Sequence, residues 1–172
     1  MKNAHLALIT LLFMFVGTTM DAQIENNSNN ITIVTAPGAY DDGFNIGVQY
    51  EHQWEWKRIG GPYVGGEVFV FPGLNDLGYW HIIGRFGWGA TFGNPVGWNY
   101  RPYLGFRGGR VIRPKEPGPY VLVGPEFGIQ INMPNGLYGK MYYAPDWRTD
   151  SAIWGKNSHS ADTIGAGVGF RF

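Results

Sequence analysis

The residues best suited to chemistry lie in the segment Ser158-His159-Ser160-Ala161-Asp162. A hydroxyl beside an imidazole is the starting point of an acyl-transfer site, in which histidine takes the proton of a serine nucleophile. If the segment is extended, however, neighbouring side chains point to opposite faces, so His159 and Ser160 diverge. The segment is therefore predicted to be a polar loop, and no catalytic residue is assigned.

Metal, cofactor and nucleic-acid binding find no support in the sequence. Asp41-Asp42-Gly43 lacks the further alternating carboxylates of a calcium loop. The chain has no cysteine, and Lys+Arg and Asp+Glu number 13 each, so no net field would attract nucleic acid. No metal, no cofactor and no nucleic-acid partner are predicted.

Seven charged residues share one feature, since each falls on the polar side of a segment in which polar and apolar residues alternate. They are Glu51, Glu67, Arg85, Arg101, Arg107, Glu126 and Arg171. If these segments close into one sheet, the seven side chains face the same interior and opposite charges pair there. The expected chemistry is a structural salt-bridge network; the rival hypothesis is a gated polar path for small solutes.

The clearest of these segments runs from Phe44 to Trp56. Its even positions are Phe44, Ile46, Val48, Tyr50, His52, Trp54 and Trp56, and its odd positions are polar or glycine. A strand places these two sets on opposite faces, whereas a helix would scatter them. Thirteen residues exceed an ordinary globular strand and suit a tilted membrane strand of about 9–11 residues with an extension.

The chain ends in a second alternating segment, in which Ile164, Ala166, Val168, Phe170 and Phe172 alternate with glycine, threonine and arginine. Between the two, turn residues such as Gly60-Gly61, Pro72-Gly73 and Pro134-Asn135-Gly136 divide the chain. Eight strands are predicted, near 31–36, 44–56, 61–71, 78–92, 98–113, 119–132, 136–144 and 161–172. The facing of the third and fifth stays open, because apolar residues occur at both parities.

The predicted connections are short and long in turn. Those at Lys57–Gly60, Gly93–Gly97 and Met133–Asn135 are tight, and the longest is Pro145–Ser160. In an even-stranded outer-membrane barrel the short turns lie on the periplasmic side. The long loop would then face outward, and its candidate residues for partner contact are Trp147, Arg148, Asp150 and Trp154.

The N-terminal residues have the order of an export signal. Lys2 precedes an apolar stretch from Ala4 to Val16, and small and polar residues follow as far as Ala22. The apolar stretch is shorter than the roughly 20 residues of a spanning helix. A signal peptide is predicted at 1–22 and a barrel domain at 23–172. The 27 glycines and the 7 Trp, 10 Tyr and 11 Phe residues suit aromatic girdles and a crowded lumen.

Taken together, the sequence resembles the small OmpA/OmpX-type outer-membrane barrels over nearly all of the predicted mature length. The resemblance rests on Phe44–Trp56, Arg101-Pro102-Tyr103-Leu104-Gly105, Gly165–Phe172 and the final Phe172. It implies an all-β, antiparallel transmembrane barrel that is monomeric and narrow, with contacts to outer-membrane lipid. It also implies export to the periplasm and insertion by the barrel assembly machinery, with Phe170 and Phe172 as the C-terminal assembly signal. The role expected is structural or surface interaction.

Two alternatives stay open. Some outer-membrane barrels that deacylate lipid A use a Ser/His pair, but their His-x-Ser-Asn order is absent here. A secreted lipocalin-like barrel would hold a small apolar ligand, with apolar residues inward and polar residues outward. Alternation by itself does not tell the inside of a barrel from the outside.

Overall fold

The computed structural model describes residues 24–36, 45–56, 60–71, 79–94, 97–112, 120–149 and 160–172. The predicted signal peptide at 1–22 lies outside them. Within these ranges no helix is long and apolar enough to cross a membrane.

The described residues form antiparallel strands in chain order, and the last strand pairs with the first. The strands are β1 (Ile24–Thr35), β2 (Ile46–Trp56), β3 (Gly61–Phe71), β4 (Tyr79–Gly89), β5 (Phe92–Gly93), β6 (Asn99–Ile112), β7 (Val121–Asn132), β8 (Leu137–Arg148) and β9 (Ser160–Arg171). Because β4 also pairs with β6, the sheet closes on itself. The short β5 continues the register of β4 on β6, so the barrel has eight long strands and the prediction of an eight-stranded barrel is confirmed.

The barrel closes between β1 and β9. The backbone N–H of Asn29 donates to the carbonyl of Phe172 at 2.8 Å, and the N–H of Phe172 donates to the carbonyl of Asn29 at 2.9 Å. From there the pairing runs to Thr35 with Ala166. A closed ladder leaves no open sheet edge in the hydrocarbon core of a membrane, where the backbone would find no partners.

The tight turns fall where glycine permits them. Gly136 has φ +85° and follows Pro134 and Asn135, and Met133 N–H donates to the Leu137 carbonyl at 2.8 Å. Gly60, with φ +72°, bridges to Trp56 at the turn between β2 and β3. Both turns lie at one end of the barrel, here called the short-turn end; the opposite end is the long-loop end.

The facing of the side chains is apolar outward and polar inward. Exposed residues on the outer wall include Ile33, Val48, Phe86, Leu104, Met141 and Val168. Gln49, Glu51, Arg85 and Glu126 are buried inside. In the third and fifth predicted strands, Tyr63, Phe69 and Tyr103 turn inward, while Val64, Val68 and Leu104 turn outward.

Two strand boundaries correct the sequence-based prediction. The first strand was predicted at 31–36, but β1 starts at Ile24, because the polar tract before Ile31 pairs with β2. The seventh was ended at Ala144, before a proline, but β8 continues to Arg148. Pro145 keeps its place opposite Asp162 in β9 although it donates no backbone hydrogen bond.

Candidate functional site

The interior of the barrel contains four acidic and four basic buried side chains among the described residues. The acids are Glu51, Glu67, Glu126 and Asp146, and the bases are Arg85, Arg101, Arg107 and Lys140. The formal charges of this set cancel. A buried charge without a partner is costly, and the equal numbers of acids and bases allow these side chains to pair inside the barrel.

Arg85 lies at the centre of the interior and is 2% exposed. Its guanidinium binds Glu126 in a bidentate arrangement, with Nε donating to Oε2 at 3.0 Å and Nη2 donating to Oε1. Its Nη1 lies 3.6 Å from Glu51 Oε2 and 3.8 Å from Glu67 Oε2. Arg85 therefore joins three carboxylates that come from three different strands.

Two further basic residues extend this network. Lys140 Nζ donates to Glu51 Oε2 at 2.8 Å and to Gln49 Oε1 at 2.9 Å. Arg107 binds Asp146 through two donors, one of them Nε to Oδ1 at 2.9 Å, and its Nη1 lies 3.6 Å from Glu67 Oε1. The network thus connects β2, β3, β4, β6, β7 and β8, which are six of the eight long strands.

Arg101 forms a separate group at the short-turn end. Its Nε donates to Glu55 Oε2 at 3.3 Å, and its Nη2 donates to the Gly61 carbonyl at 3.0 Å. Arg171, the seventh predicted lumen residue, is half-exposed and makes no side-chain hydrogen bond or ion pair with a described residue. It lies next to Phe172, at the short-turn end of β9.

Sequence reasoning missed two members of the network. Asp146 belongs to the predicted loop because the predicted strand ends at Ala144, whereas β8 continues to Arg148. Lys140 is not among the predicted lumen residues, although it shares the inward face with Tyr138 and Tyr142. The signal for Lys140 was present in the sequence. Asp146 could be placed in the interior only once the structure showed that Pro145 lies within the pairing of β8 with β9.

An apolar cluster occupies the interior at the long-loop end. Its members are Val34, Ala36, Phe69, Ile83, Val111 and Leu122. Phe69 and Ile83, in the third and fourth predicted strands, are therefore apolar although they face inward. These side chains cover the charged network from the long-loop side.

The predicted loop-contact residues divide into two groups. Trp147 lies in β8 and is exposed on the outer wall, and Arg148 is the last residue of that strand, so neither is a loop residue. Asp150 and Trp154 lie outside the described residues. Phe170 and Phe172 are both exposed on the outer wall at the short-turn end.

The serine and histidine considered for acyl transfer are not brought together among the described residues. Ser160 is the first residue of β9 and pairs with Trp147, and His159 lies outside the described residues. Within the described ranges no group of three or more His, Cys, Asp or Glu residues could hold a metal ion.

Fold and interior together define the class: a closed antiparallel barrel with an apolar outer wall and a charged interior, the architecture of OmpA/OmpX-type outer-membrane barrels. No protein-family model matches the sequence, and no curated protein matches it. Among solved structures, the chain is similar to the Yersinia pestis outer membrane protein Ail in a phospholipid bilayer nanodisc. The identity is 13%, the TM-score is 0.45, and the match covers 86% of this chain and 100% of that chain.

Proposed function

We propose that this protein is an integral outer-membrane barrel with a plugged lumen and a structural or surface-interaction role. The observation that carries the proposal is the facing of the side chains, which are apolar on the outer wall and polar inside, the reverse of a lipocalin-like barrel. Large apolar side chains such as Val168, 65% exposed, lie outside, while Arg85, Glu67 and Glu126 are almost fully buried inside. In water this arrangement would expose the apolar wall, whereas in a bilayer the wall contacts lipid and the ion pairs stay enclosed inside the barrel.

The same facing argues against an apolar-ligand carrier. A lipocalin-like barrel needs an apolar lumen, whereas the centre of this interior holds Arg85, Lys140 and their carboxylates. An eight-stranded barrel has room inside for little more than its own side chains. The ion-pair network and the apolar cluster lie in that space, and we propose that together they block the passage of solutes.

Localisation follows from the wall of the barrel. Strands of 11 to 14 residues, such as β2 and β6, are long enough to cross an outer membrane when tilted. We propose export to the periplasm and insertion through the barrel assembly machinery. Phe172 supports this route, because it is exposed outward and its backbone closes the barrel against Asn29.

The functional surface proposed is the long-loop end. We expect the loops at this end to contact a partner, because exposed loops on a rigid scaffold commonly carry recognition. Trp147 marks the border of that end on the outer wall. The protein is proposed to be monomeric and to lack enzymatic activity.

Fractionation of cells that express the full chain tests the proposal. The mature protein is expected with the outer membrane. In detergent gels an unboiled sample should migrate faster than a boiled one, because a closed ladder resists the denaturant. Recovery in the soluble periplasmic fraction or the medium would overturn it.

A further inference from the structure

The ladder between β7 and β8 is interrupted at one place. Paired residues stop at Val123 with Trp147 and resume at Phe127 with Tyr143, in an unchanged register. The residues that face each other in the middle of this gap are Pro125 and Pro145. Both belong to the outward face of their strands, as Val123 and Trp147 do.

The two prolines meet at a position where hydrogen bonds are required. Val121 accepts from the Thr149 N–H at 3.1 Å, and in an antiparallel ladder every second pair after this one exchanges two such bonds. Pro125 and Pro145 form the second such pair along the ladder. Neither proline has an N–H, so both bonds are lost and two carbonyls face the gap without a cross-strand donor.

A further acceptor lies on the other flank of Pro145. Asp162 pairs with Pro145 across β8 and β9 and is exposed on the outer wall. The outer wall here combines the Asp162 carboxylate with two donor-less carbonyls, so it presents acceptors in excess of donors to the lipid.

The depth of this gap in the membrane determines which part of a lipid lies beside it. Trp147 lies two positions from Pro145 on the same face, about 7 Å along the strand, and exposed tryptophan is typical of the membrane interface. The gap is therefore just below the interface at the long-loop end, which faces outward in a barrel of this kind. The roots of the acyl chains lie at this depth.

We propose that the gap between Pro125 and Pro145, together with the neighbouring Asp162 carboxylate, binds an outer-leaflet lipid that carries hydrogen-bond donors at the root of its acyl chains. The donors would be an amide N–H or a hydroxyl. A diacylglycerol phospholipid has only ester oxygens at that depth and leaves the carbonyls unsatisfied, which is costly in hydrocarbon. This inference rests on the membrane insertion proposed above.

Sphingomyelin and phosphatidylcholine of matched chain length are suitable probes, because they share a headgroup and differ in the amide N–H and hydroxyl at the chain root. The full protein is inserted into nanodiscs of an equimolar mixture and extracted gently, and the retained lipids are counted by native mass spectrometry. Wild type is expected to retain sphingomyelin over phosphatidylcholine by about threefold or more, a modest preference on the affinity scale.

The double variant Pro125→Val/Pro145→Val restores both N–H donors and should retain the two lipids in the bulk ratio. It gains two ladder bonds, so it should still fold and migrate as a compact barrel on unboiled gels. Asp162→Ala should lower the preference in part. Ile129→Val is the matched control, since it changes a lipid-facing side chain on β7 and no backbone donor.

Retention in the bulk ratio by wild type, or an undiminished preference in the double variant, overturns the lipid site and means that water satisfies the carbonyls. Failure of the wild type to enter nanodiscs at all would instead contradict the proposed membrane function.

Discussion

Tyr63 lies directly opposite Gly87 across β3 and β4, and its ring occupies the space that a side chain at Gly87 would need. A Cβ atom at Gly87 would be 2.7 Å from Tyr63 Cε1 and 2.2 Å from the Leu104 carbonyl oxygen. Glycine is therefore required at this position by the close approach of a neighbouring ring and backbone.

The same relationship recurs around the barrel. Tyr103 faces Gly128, Tyr142 faces Gly165 and Tyr138 faces Gly169, in each case with the glycine on the strand that follows in the chain. Cβ atoms at these glycines would lie 2.2 to 2.5 Å from the tyrosine rings. Inward tyrosines thus fill a narrow lumen by lying over glycines.

Gly87→Ala is expected to destabilise the folded barrel by about 1–3 kcal/mol, the usual cost of overpacking. Gly84→Ala in the same strand is the control, because it faces outward and its nearest neighbour, the Gly108 carbonyl oxygen, would be 3.7 Å away. Urea unfolding in lipid vesicles measures both. Equal stability of the two variants would contradict the inward packing of Tyr63.

The buried pair of Arg107 and Asp146 gives a second prediction. Arg107→Met leaves the Asp146 carboxylate buried with only the Thr163 hydroxyl, which donates at 2.8 Å, and is expected to cost about 3–5 kcal/mol. The double variant Arg107→Met/Asp146→Leu removes both charges and should recover much of that loss.

A double-mutant cycle on unfolding free energies checks this prediction, with Asp146→Leu as the other single variant. The coupling should be well above 1 kcal/mol, since both side chains are buried and share two hydrogen bonds. Additive single effects would mean that the two charges are separated or hydrated in the membrane.

Much of the fold could be predicted because alternation is a local property. The segment around Val48 and the one around Val168 each define two faces without knowledge of their neighbours. The residues that fill the interior were harder to predict, because the contact of Tyr63 with Gly87 depends on the register between strands. The sequence also does not tell which face of a strand lies inside the barrel, because the alternating pattern is the same for both facings. Only the closed structure decides this.

The candidate site was also predictable only in part, because its contacts depend on how the strands meet. Glu51, Arg85 and Glu126 could be assigned to one face by parity, but their connection through one guanidinium depends on three strands meeting across the interior. Asp146 falls outside the predicted strand at 136–144, so parity could not place it in the interior. A proline opposite another proline loses only its own bonds, so the register carries on past it.

Val168→Arg tests the lipid-facing wall. Val168 is 65% exposed beside Ile33 on the neighbouring strand, and a charge near the midplane is expected to cost about 2–4 kcal/mol of folding free energy. Val168→Leu should be neutral, because it keeps the surface apolar. Folding into vesicles, followed by the gel shift on heating, measures both; full tolerance of arginine would mean that this wall is wet.

Gly167→Ser, on the inward face beside Val168, is expected to be harmful too, although a hydroxyl suits a polar lumen. A Cβ atom there would lie 2.6 Å from the Ile33 carbonyl oxygen and 2.7 Å from Val34 Cγ1. Space, and not polarity, limits this position. The effect on folding should therefore come from overpacking and should be the same in thin and thick bilayers, unlike that of Val168→Arg.

Finally, no lipid hydrolase activity that depends on Ser160 or His159 is expected. Ser160 is the first residue of β9 and lies opposite Trp147. Neighbouring side chains of an extended chain point to opposite faces, so we expect a histidine that precedes Ser160 in such a chain not to reach its hydroxyl. We also expect a site at the rim of the barrel to be wet, and water weakens the stabilisation of a developing oxyanion. Lipid A from cells that express wild type, His159→Ala or Ser160→Ala should have the same mass in all three. If the wild type removes an acyl chain from lipid A and either substitution abolishes this activity, the proposed structural role is wrong and the protein is an enzyme.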